Sequence, residues 1–267
     1  MRRRASSIAA LLAFLAGLAL VLGGALAQGG LAAFSGQATV TGNNFTTAAS
    51  FAPVHEETQT GGSSSSSVVS TATNVTAVND HLYLAAISTK PNVSVTSVTG
   101  LGLAWTLVKA QCAARSQTRI EVWKAQGTPT GGETVSANLA SAPLNAVIAV
   151  SRYSDVSTMS AIGSVTSSNT LGPDGACSGG TDTASYSLNL TTTAANAAAY
   201  GAAAIRLRTH TPGAGYTEQA EVHQGASGDT AGVAVEDKPV ASPSTIVVDG
   251  TLNSATDWAV VAVEIRP

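Results

Sequence analysis

The stretch TRIEVWKA, residues 118–125, decides the fold prediction for this chain of 267 residues. Ile120 and Val122 fall on one side of an extended strand. Arg119, Glu121 and Trp123 fall on the other side. Apolar and polar side chains that alternate in this way predict a β-strand in a sheet with one face on a core and one face in water.

Similar runs lie on both sides of this stretch, separated by clusters of Gly, Pro, Asn, Asp and Ser that predict turns. The closely spaced short runs predict an all-β fold, an antiparallel two-sheet β-sandwich of the jelly-roll type, as one domain over residues 67–267 without an internal repeat. The runs are residues 81–88, 105–110, 134–139, 146–153, 185–190, 196–207, 217–223, 231–236, 245–248 and 258–265.

The run TAANAAAYGAAAI allows a second interpretation, because alanine is the best helix former. Gly201 interrupts the alanines, and the following IRLR continues with a period of two. We therefore expect a strand here rather than a helix.

The composition limits which classes of partner the chain can bind. It is 44% hydrophobic but only 4% aromatic and 11% charged, and the formal net charge is −3. Loss of Arg2, Arg3 and Arg4 with a cleaved leader would change this charge from −3 to −6. No basic patch remains to bind phosphates, so we expect no nucleic-acid partner.

The N-terminus has the pattern of an export signal. Three arginines precede an apolar run, and Ala25-Leu26-Ala27 is a small-x-small cleavage signature. A signal peptide over residues 1–33 predicts a secreted, extracellular or cell-surface protein. The run is also long enough to span a bilayer, so an uncleaved anchor is the alternative and would be the sole membrane contact.

A second cleavage position follows Ala33. Ala33-Phe34-Ser35 and Asn44-Phe45-Thr46 make this region resemble the TasA and camelysin group of secreted matrix proteins. In that group a dedicated signal peptidase of the SipW type cuts before an AFS or AFN element. The resemblance implies cleavage after Ala33 and a matrix protein.

Residues 34–51 would then begin the mature chain as an extended segment. Its apolar side chains, Phe34, Val40, Phe45 and Phe51, suit a strand that adds to a sheet edge, within its own chain or in a neighbour. Addition to a neighbour predicts self-association into fibres. The Gly- and Ser-rich residues 52–67 that follow predict a flexible linker.

The body of the chain resembles jelly-roll modules of phage structural proteins and of secreted bacterial surface proteins. Trp105, the unit Glu121-Val122-Trp123, Tyr153 and Trp258 carry this resemblance. These are framework positions, so the resemblance implies a fold and a location and brings no active site.

Cys112 and Cys177 are the only cysteines of the sequence. Two cysteines in an exported chain predict a disulfide, here one that fixes the loop GPDGACSGG to a strand, with two inert thiols as the alternative. In the same loop region, Asp174 and Asp182 are candidate Ca²⁺ ligands, although aspartates in such loops more often only form turns. We expect no other cofactor.

Catalytic motifs are missing from the sequence. The four histidines have no metal-ligand spacing, and no G-x-S-x-G elbow occurs. We therefore expect no enzyme and assign no catalytic residue. Trp123, with polar neighbours, is a candidate sugar contact or else a core residue. The leading hypothesis is a secreted structural or adhesive protein of the cell surface or extracellular matrix, and a carbohydrate-binding module that takes polysaccharide is the alternative.

Overall fold

The computed structural model describes residues 51–267 and the backbone of two short strands nearer the N-terminus. These two strands pair with each other and belong to the unit Met1–Ala49, whereas Ser50–Pro267 forms a second compact unit. The strands are β1 Thr39–Val40, β2 Asn43–Asn44, β3 Val54–Ser64, β4 Val68–Ser70, β5 Leu82–Lys90, β6 Val95–Thr99, β7 Thr106–Cys112, β8 Arg119–Gln126, β9 Ser136–Leu139, β10 Asn145–Ser154, β11 Ile162–Asn169, β12 Gly172–Pro173, β13 Thr183–Thr191, β14 Ala197–Ala204, β15 His210–Pro212, β16 Thr217–Gln224, β17 Ala231–Val240, β18 Thr245–Thr256 and β19 Ala259–Ile265.

The second unit contains four antiparallel sheets. Inner sheet 1 has the strand order β3-β10-β5-β8-β7, and outer sheet 1 has the order β4-β9-β6. Inner sheet 2 has the order β12-β11-β19-β14-β17-β16, and outer sheet 2 has the order β13-β18-β15. The prediction of an all-β antiparallel sandwich is confirmed, and the described residues 51–267 form four sheets where the sequence predicted two.

The two halves of this unit have the same topology. If β12 is set aside, strands β3–β10 and β11–β19 each comprise eight strands with the order 1-8-3-6-5 in the inner sheet and 2-7-4 in the outer sheet. This alternation between two sheets is a jelly-roll arrangement. We call the halves sandwich 1 and sandwich 2. Between them β3 contacts β16 and β7 contacts β11, which are equivalent pairs under an approximate two-fold axis.

Three apolar layers separate the four sheets. The central core lies between the inner sheets, with Val122 and Val147 from one side and Val233 and Val261 from the other. Two outer cores fill the space between each inner sheet and its outer sheet. Each fully buried valine or leucine contributes about 1.5–3 kcal/mol to the free energy of unfolding.

The inner sheets are therefore covered on both faces, which explains the small side chains. Every residue of β5, β14 and β19 is buried. The run AAAYGAAA forms β14, so the strand interpretation of this run is confirmed. A Cβ at Gly201 would collide with the side chains of Val248 and Glu236, so glycine is required here by close packing.

Strand β8 differs from the prediction of one wet face. Glu121 is only 2% exposed, because outer sheet 1 covers its side of the inner sheet. Its carboxylate accepts hydrogen bonds from Arg119 at 2.6 Å, Trp123 Nε1 at 3.0 Å and the amide of Val95 at 3.1 Å. A buried charge is tolerated when it is paired in this way.

The prediction of a flexible linker over residues 52–67 is also wrong. Val54–Ser64 is an eleven-residue strand that pairs along its whole length with β10. A Cβ at Gly61 would collide with the carbonyl group of Ser70, so this glycine allows outer sheet 1 to approach β3 closely.

Among the described residues, no helix is long and apolar enough to cross a membrane.

Candidate functional site

Strand β13 is an open edge of outer sheet 2. Its sequence TASYSLNLT has no charge and no proline over nine residues. Tyr186, Leu188 and Leu190 point into the outer core, and the residues between them are exposed. Among the described strands it pairs only with β18, with one register shift between Thr183 and Ser185 and a regular register from Ser185 to Thr191. An edge of this kind presents unpaired amide and carbonyl groups to another strand.

The other edge strands of the described sheets carry features that oppose such pairing. Strands β3, β7 and β16 have charged side chains and register shifts in their pairings. Strands β4, β12 and β15 have three residues or fewer. Strand β6 has five residues and a register shift, and β11 has a register shift and is partly covered by β12. Strand β13 is thus the longest uncharged edge among the described strands.

A groove of about 330 Å³ runs beside the first half of this edge. Ser185, Tyr186 and Ser187 form one wall, and the β11–β12 hairpin, with Ser168 and Pro173, forms the other. The floor includes Trp258, whose indole nitrogen donates a hydrogen bond to the hydroxyl of Thr183 at 2.7 Å. The groove is lined by hydroxyl-bearing and apolar side chains in similar measure and by no charged residue, so it suits an uncharged extended chain.

The loop that bounds this groove, residues 174–182, is fixed by covalent and ionic contacts. Cys112 and Cys177 form a disulfide, as predicted, and it joins sandwich 1 to sandwich 2. Lys109 lies 2.8 Å from Asp174, and Arg115 lies 3.0 Å from Asp182. Hydrogen bonding to Lys109 lowers the pKa of Asp174.

These ion pairs bear on the predicted Ca²⁺ ligands. Asp174 and Asp182 each form an ion pair with a different basic side chain. No group of three or more His, Cys, Asp or Glu side chains able to hold a metal occurs in the described part of the chain. Ca²⁺ binding by this loop stays a prediction.

Asn169 holds the same loop from inside. This residue is 1% exposed, and its amide nitrogen donates to the carbonyl groups of Cys112, Gly175 and Ala176 at 2.8, 2.9 and 3.0 Å. Its side-chain oxygen accepts from the amide of Leu171 at 2.9 Å. One asparagine therefore fixes the ends of both segments that the disulfide connects.

Behind the groove, Tyr186 belongs to a buried row of polar side chains. Its hydroxyl lies 2.8 Å from Nε2 of His210 and 3.0 Å from Oε1 of Glu236. Nδ1 of His210 lies 2.6 Å from Oε2 of Glu218. Burial raises the pKa of Glu236 to about 7, and burial with the nearby Glu236 raises the pKa of Tyr186 well above its ordinary value.

Trp123 lies elsewhere, at the margin of inner sheet 1 that outer sheet 1 does not reach. The indole is partly buried against the first outer core, and its cross-strand neighbour Leu107 is 48% exposed. The hydrogen bond to Glu121 fixes the edge of the ring. Part of Trp123 is therefore core and part faces solvent, and its role as a sugar contact stays a prediction.

The other predicted site residues lie near the N-terminus. Ala27, Ala33, Phe34 and Phe45 lie outside the described residues, and Val40 is described only as backbone in β1. Phe51 is 68% exposed. The predicted cleavage positions and donor strand therefore stay predictions.

Sequence reasoning missed the row formed by Tyr186, His210, Glu218 and Glu236. These residues come from four strands and span fifty positions, so no local motif connects them. One signal was present: His210 and Glu218 stand eight residues apart, on either side of the Gly213–Gly215 turn at which the chain passes from one sheet to the other.

Comparisons with models of known protein families, with curated proteins and with solved structures found no match.

Proposed function

We propose that this protein is a secreted, non-enzymatic structural or adhesive protein that self-associates at the cell surface or in the extracellular matrix. The observation that carries the proposal is the open, uncharged edge of β13 with its groove. Natural sheets ordinarily block such an edge, and the other edge strands of the sheets within residues 51–267 are charged, short or partly covered. We infer that β13 is left open because it accepts a strand.

The N-terminal residues 34–51 are the segment that we assign to this edge, and the short pairing of β1 with β2 would open when the segment adds to it as a strand. The segment FSGQATVTGNNFTTAASF has no charged residue and is rich in β-forming Thr, Val and Phe. An uncharged strand suits a groove lined by no charged residue, and its backbone would complete the hydrogen bonds of the edge.

The position of β3 favours a neighbouring molecule as the acceptor. The chain enters the described unit at Val54, and β3 lies over β16 at one margin of the stacked inner sheets. Strand β13 lies next to β11, at the opposite margin of inner sheet 2. A contact between two different surfaces joins molecules head to tail, and it produces filaments when its rotation does not close a ring.

The disulfide supports an extracellular location. It is the kind of bond that persists in oxidising compartments and is rare in the cytosol. Together with the export signal in the first 33 residues, it is the basis for proposing secretion.

Electron microscopy and sedimentation of the secreted chain test the proposal. The wild-type protein should form filaments, and deletion of residues 34–51 should leave folded monomers. The variant Ser187→Lys, which places a charge on the exposed face of β13, should also prevent assembly. Thr251→Lys is the matched control. Thr251 is also exposed, but it lies on the central strand β18, whose two edges are already paired with β13 and β15. Filaments that persist in both the deletion and Ser187→Lys would contradict the proposal.

A carbohydrate-binding module is the second proposal, and the exposed part of Trp123 beside Leu107 favours it. Aromatic rings on a sheet can stack on sugar rings. Polysaccharide pull-down with the wild type and Trp123→Ala tests this role. Retention that is equal for both proteins, or absent for both, would contradict it.

A further inference from the structure

The row Glu218, His210, Tyr186 and Glu236 has three hydrogen-bond contacts, whereas its groups in their ordinary neutral or ionised forms supply two protons. Three contacts of 2.6, 2.8 and 3.0 Å join these four side chains end to end. Each hydrogen bond needs one proton between its two heavy atoms. A neutral histidine supplies one proton and the tyrosine hydroxyl supplies another, so the third must come from an additional protonation within the row.

Glu236 is the place where this additional proton fits best, because a second proton on the His210 ring instead would leave Glu236 as a buried carboxylate with one unpartnered oxygen. Its side chain is 1% exposed, and its Oε2 has no hydrogen-bond partner among the described residues. Glu218, at the other end, is 28% exposed. A neutral carboxyl group at the buried end and a carboxylate at the solvated end avoid the large penalty of an unpaired buried charge.

With Glu236 protonated, every hydrogen bond in the row runs in one direction. The carboxyl O–H of Glu236 donates to the Tyr186 oxygen, the Tyr186 O–H donates to Nε2 of His210, and Nδ1–H of His210 donates to Glu218. When Glu236 loses its proton, the Tyr186 O–H turns to donate to the carboxylate. The Tyr186 oxygen and Nε2 of His210 then face each other with a lone pair on each atom and no proton between them.

The surrounding charges agree with this assignment. Glu221 of β16 accepts from the backbone amide of His210 at 2.8 Å and lies 3.7 Å from His223. Burial raises the pKa of Glu236 and outweighs hydrogen bonds from Tyr186 and the Gly213 backbone that lower it, and the charges of Asp249 of β18 and of Glu218 raise it further.

The basic side chain near the row, that of Lys238, already contacts an aromatic ring. Lys238 of β17 lies over the ring of Tyr216, 4.3 Å from its centroid. The ion pairs of the described residues give Glu236 no Lys or Arg partner, so acidic groups dominate around the row.

We propose that these four residues form a proton-operated lock, in which one proton held between Glu236 and Tyr186 fastens outer sheet 2 to inner sheet 2, and its release loosens that contact. Tyr186 and His210 belong to outer sheet 2, whereas Glu218 and Glu236 belong to inner sheet 2. The lock therefore acts across the second outer core and bears directly on β13, which carries Tyr186. It stands on these contacts alone and does not depend on the proposed function.

The expected pH range follows from the raised pKa of Glu236. Because the folded protein holds this proton more tightly than the unfolded chain, the stabilisation is complete below the ordinary value of 4.5 and is lost as the pH rises through about 7. Between pH 5 and pH 8 this group should change the unfolding equilibrium constant by on the order of 100-fold.

Infrared spectroscopy of the wild-type protein is the direct test. A carbonyl band of a protonated carboxyl group should be present at pH 6, should disappear as the pH rises through 7, and should be missing from Glu236→Gln at pH 6. Glu218→Gln should retain the band. A band that is lost in Glu218→Gln and kept in Glu236→Gln would place the proton at the wrong end and overturn the assignment.

Hydrogen exchange tests the loosening itself. After correction for intrinsic rates, amides of β13 and β15 should exchange at least tenfold faster at pH 8 than at pH 6, whereas those of β4 and β6, the equivalent strands of outer sheet 1, should not. In Glu236→Gln the difference should vanish.

A readout on the wild type does not depend on any variant folding. Carboxyl ¹³C chemical shifts should show one glutamate titrating near pH 7. If every glutamate titrates below pH 5, the lock is refuted.

Discussion

The hydroxyl of Tyr153 in β10 donates a hydrogen bond to Oδ2 of Asp237 in β17 at 2.7 Å, across the buried boundary between the two sandwiches. Tyr153 is 1% exposed, and Asp237 also accepts from the amide of Gln219 at 2.9 Å. A direct bond between the inner sheets shows that the two sandwiches are joined by specific polar contacts as well as by apolar packing.

Removal of this hydroxyl should weaken the whole unit. Tyr153→Phe leaves a buried carboxylate oxygen without its donor, so the free energy of unfolding should fall by about 1–3 kcal/mol. Urea denaturation measures the change. Tyr216→Phe is the control, because it removes a hydrogen bond to the carbonyl group of Val247 within sandwich 2, and we expect a smaller loss there. Equal losses in the two variants would argue against a special role for the boundary bond.

The disulfide should contribute strongly to stability. Cys112 and Cys177 are 65 residues apart, and closing a loop of this length is worth about 4 kcal/mol on the chain-entropy model. The variant Cys112→Ser/Cys177→Ser should unfold at a correspondingly lower urea concentration. Wild-type protein treated with reductant should match the variant, and a variant as stable as the oxidised protein would contradict the prediction.

The small residues of the central core should not accept larger ones. Ala202 is fully buried between the inner sheets, so Ala202→Leu should destabilise the protein by about 1–3 kcal/mol through overpacking. Ala255→Leu, at an exposed position of β18, is the control and should change the stability by less than about 0.5 kcal/mol. Thermal unfolding of both variants measures the difference.

Glu264 should give the opposite pH dependence to Glu236. Burial raises the pKa of Glu264, but hydrogen bonds from the amides of Ser164, Ala194 and Thr193 outweigh burial and lower it below 4.5. A lowered pKa gives stability that is present above the ordinary value and is lost as the pH falls through the folded value.

The variant Glu264→Gln should therefore be less stable than the wild type at pH 6 and should lose less stability between pH 5 and pH 3. Melting temperatures over this range measure both effects. Glu133→Gln, at an exposed position, is the comparison. An acid dependence that is unchanged in Glu264→Gln would show that other carboxylates are responsible.

The strands that alternate or are β-rich were predictable because their side chains carry the signal themselves. All eleven runs noted in the sequence correspond to strands, among them the alanine-rich β14. Strand β3 was not predictable, because Gly61 and Gly62 indicate flexibility when only the sequence is known. In the structure, glycine is needed at these two positions because Ser70 and Gln224 pack closely against them.

The doubling of the fold was hidden for a similar reason. Strands β5 and β14 occupy equivalent places with the sequences LYLAAISTK and AAAYGAAA. Both satisfy the same requirement for burial on two faces with different side-chain volumes, so topology repeats where sequence does not. The disulfide was predictable from the count of two cysteines, but the row around His210 depends on contacts between distant strands.

The bridge between Cys112 and Cys177 also sets how the protein would respond to tension. A chain pulled at its two ends can release no length from the residues that the bridge encloses. At about 3.4 Å per residue, the 65 positions between the cysteines amount to roughly 220 Å of slack that stays unavailable while the bond is intact. Mechanical load then passes through the sulfur atoms, so the residues from β8 to β12 cannot be pulled out into an extended chain while the bond is intact.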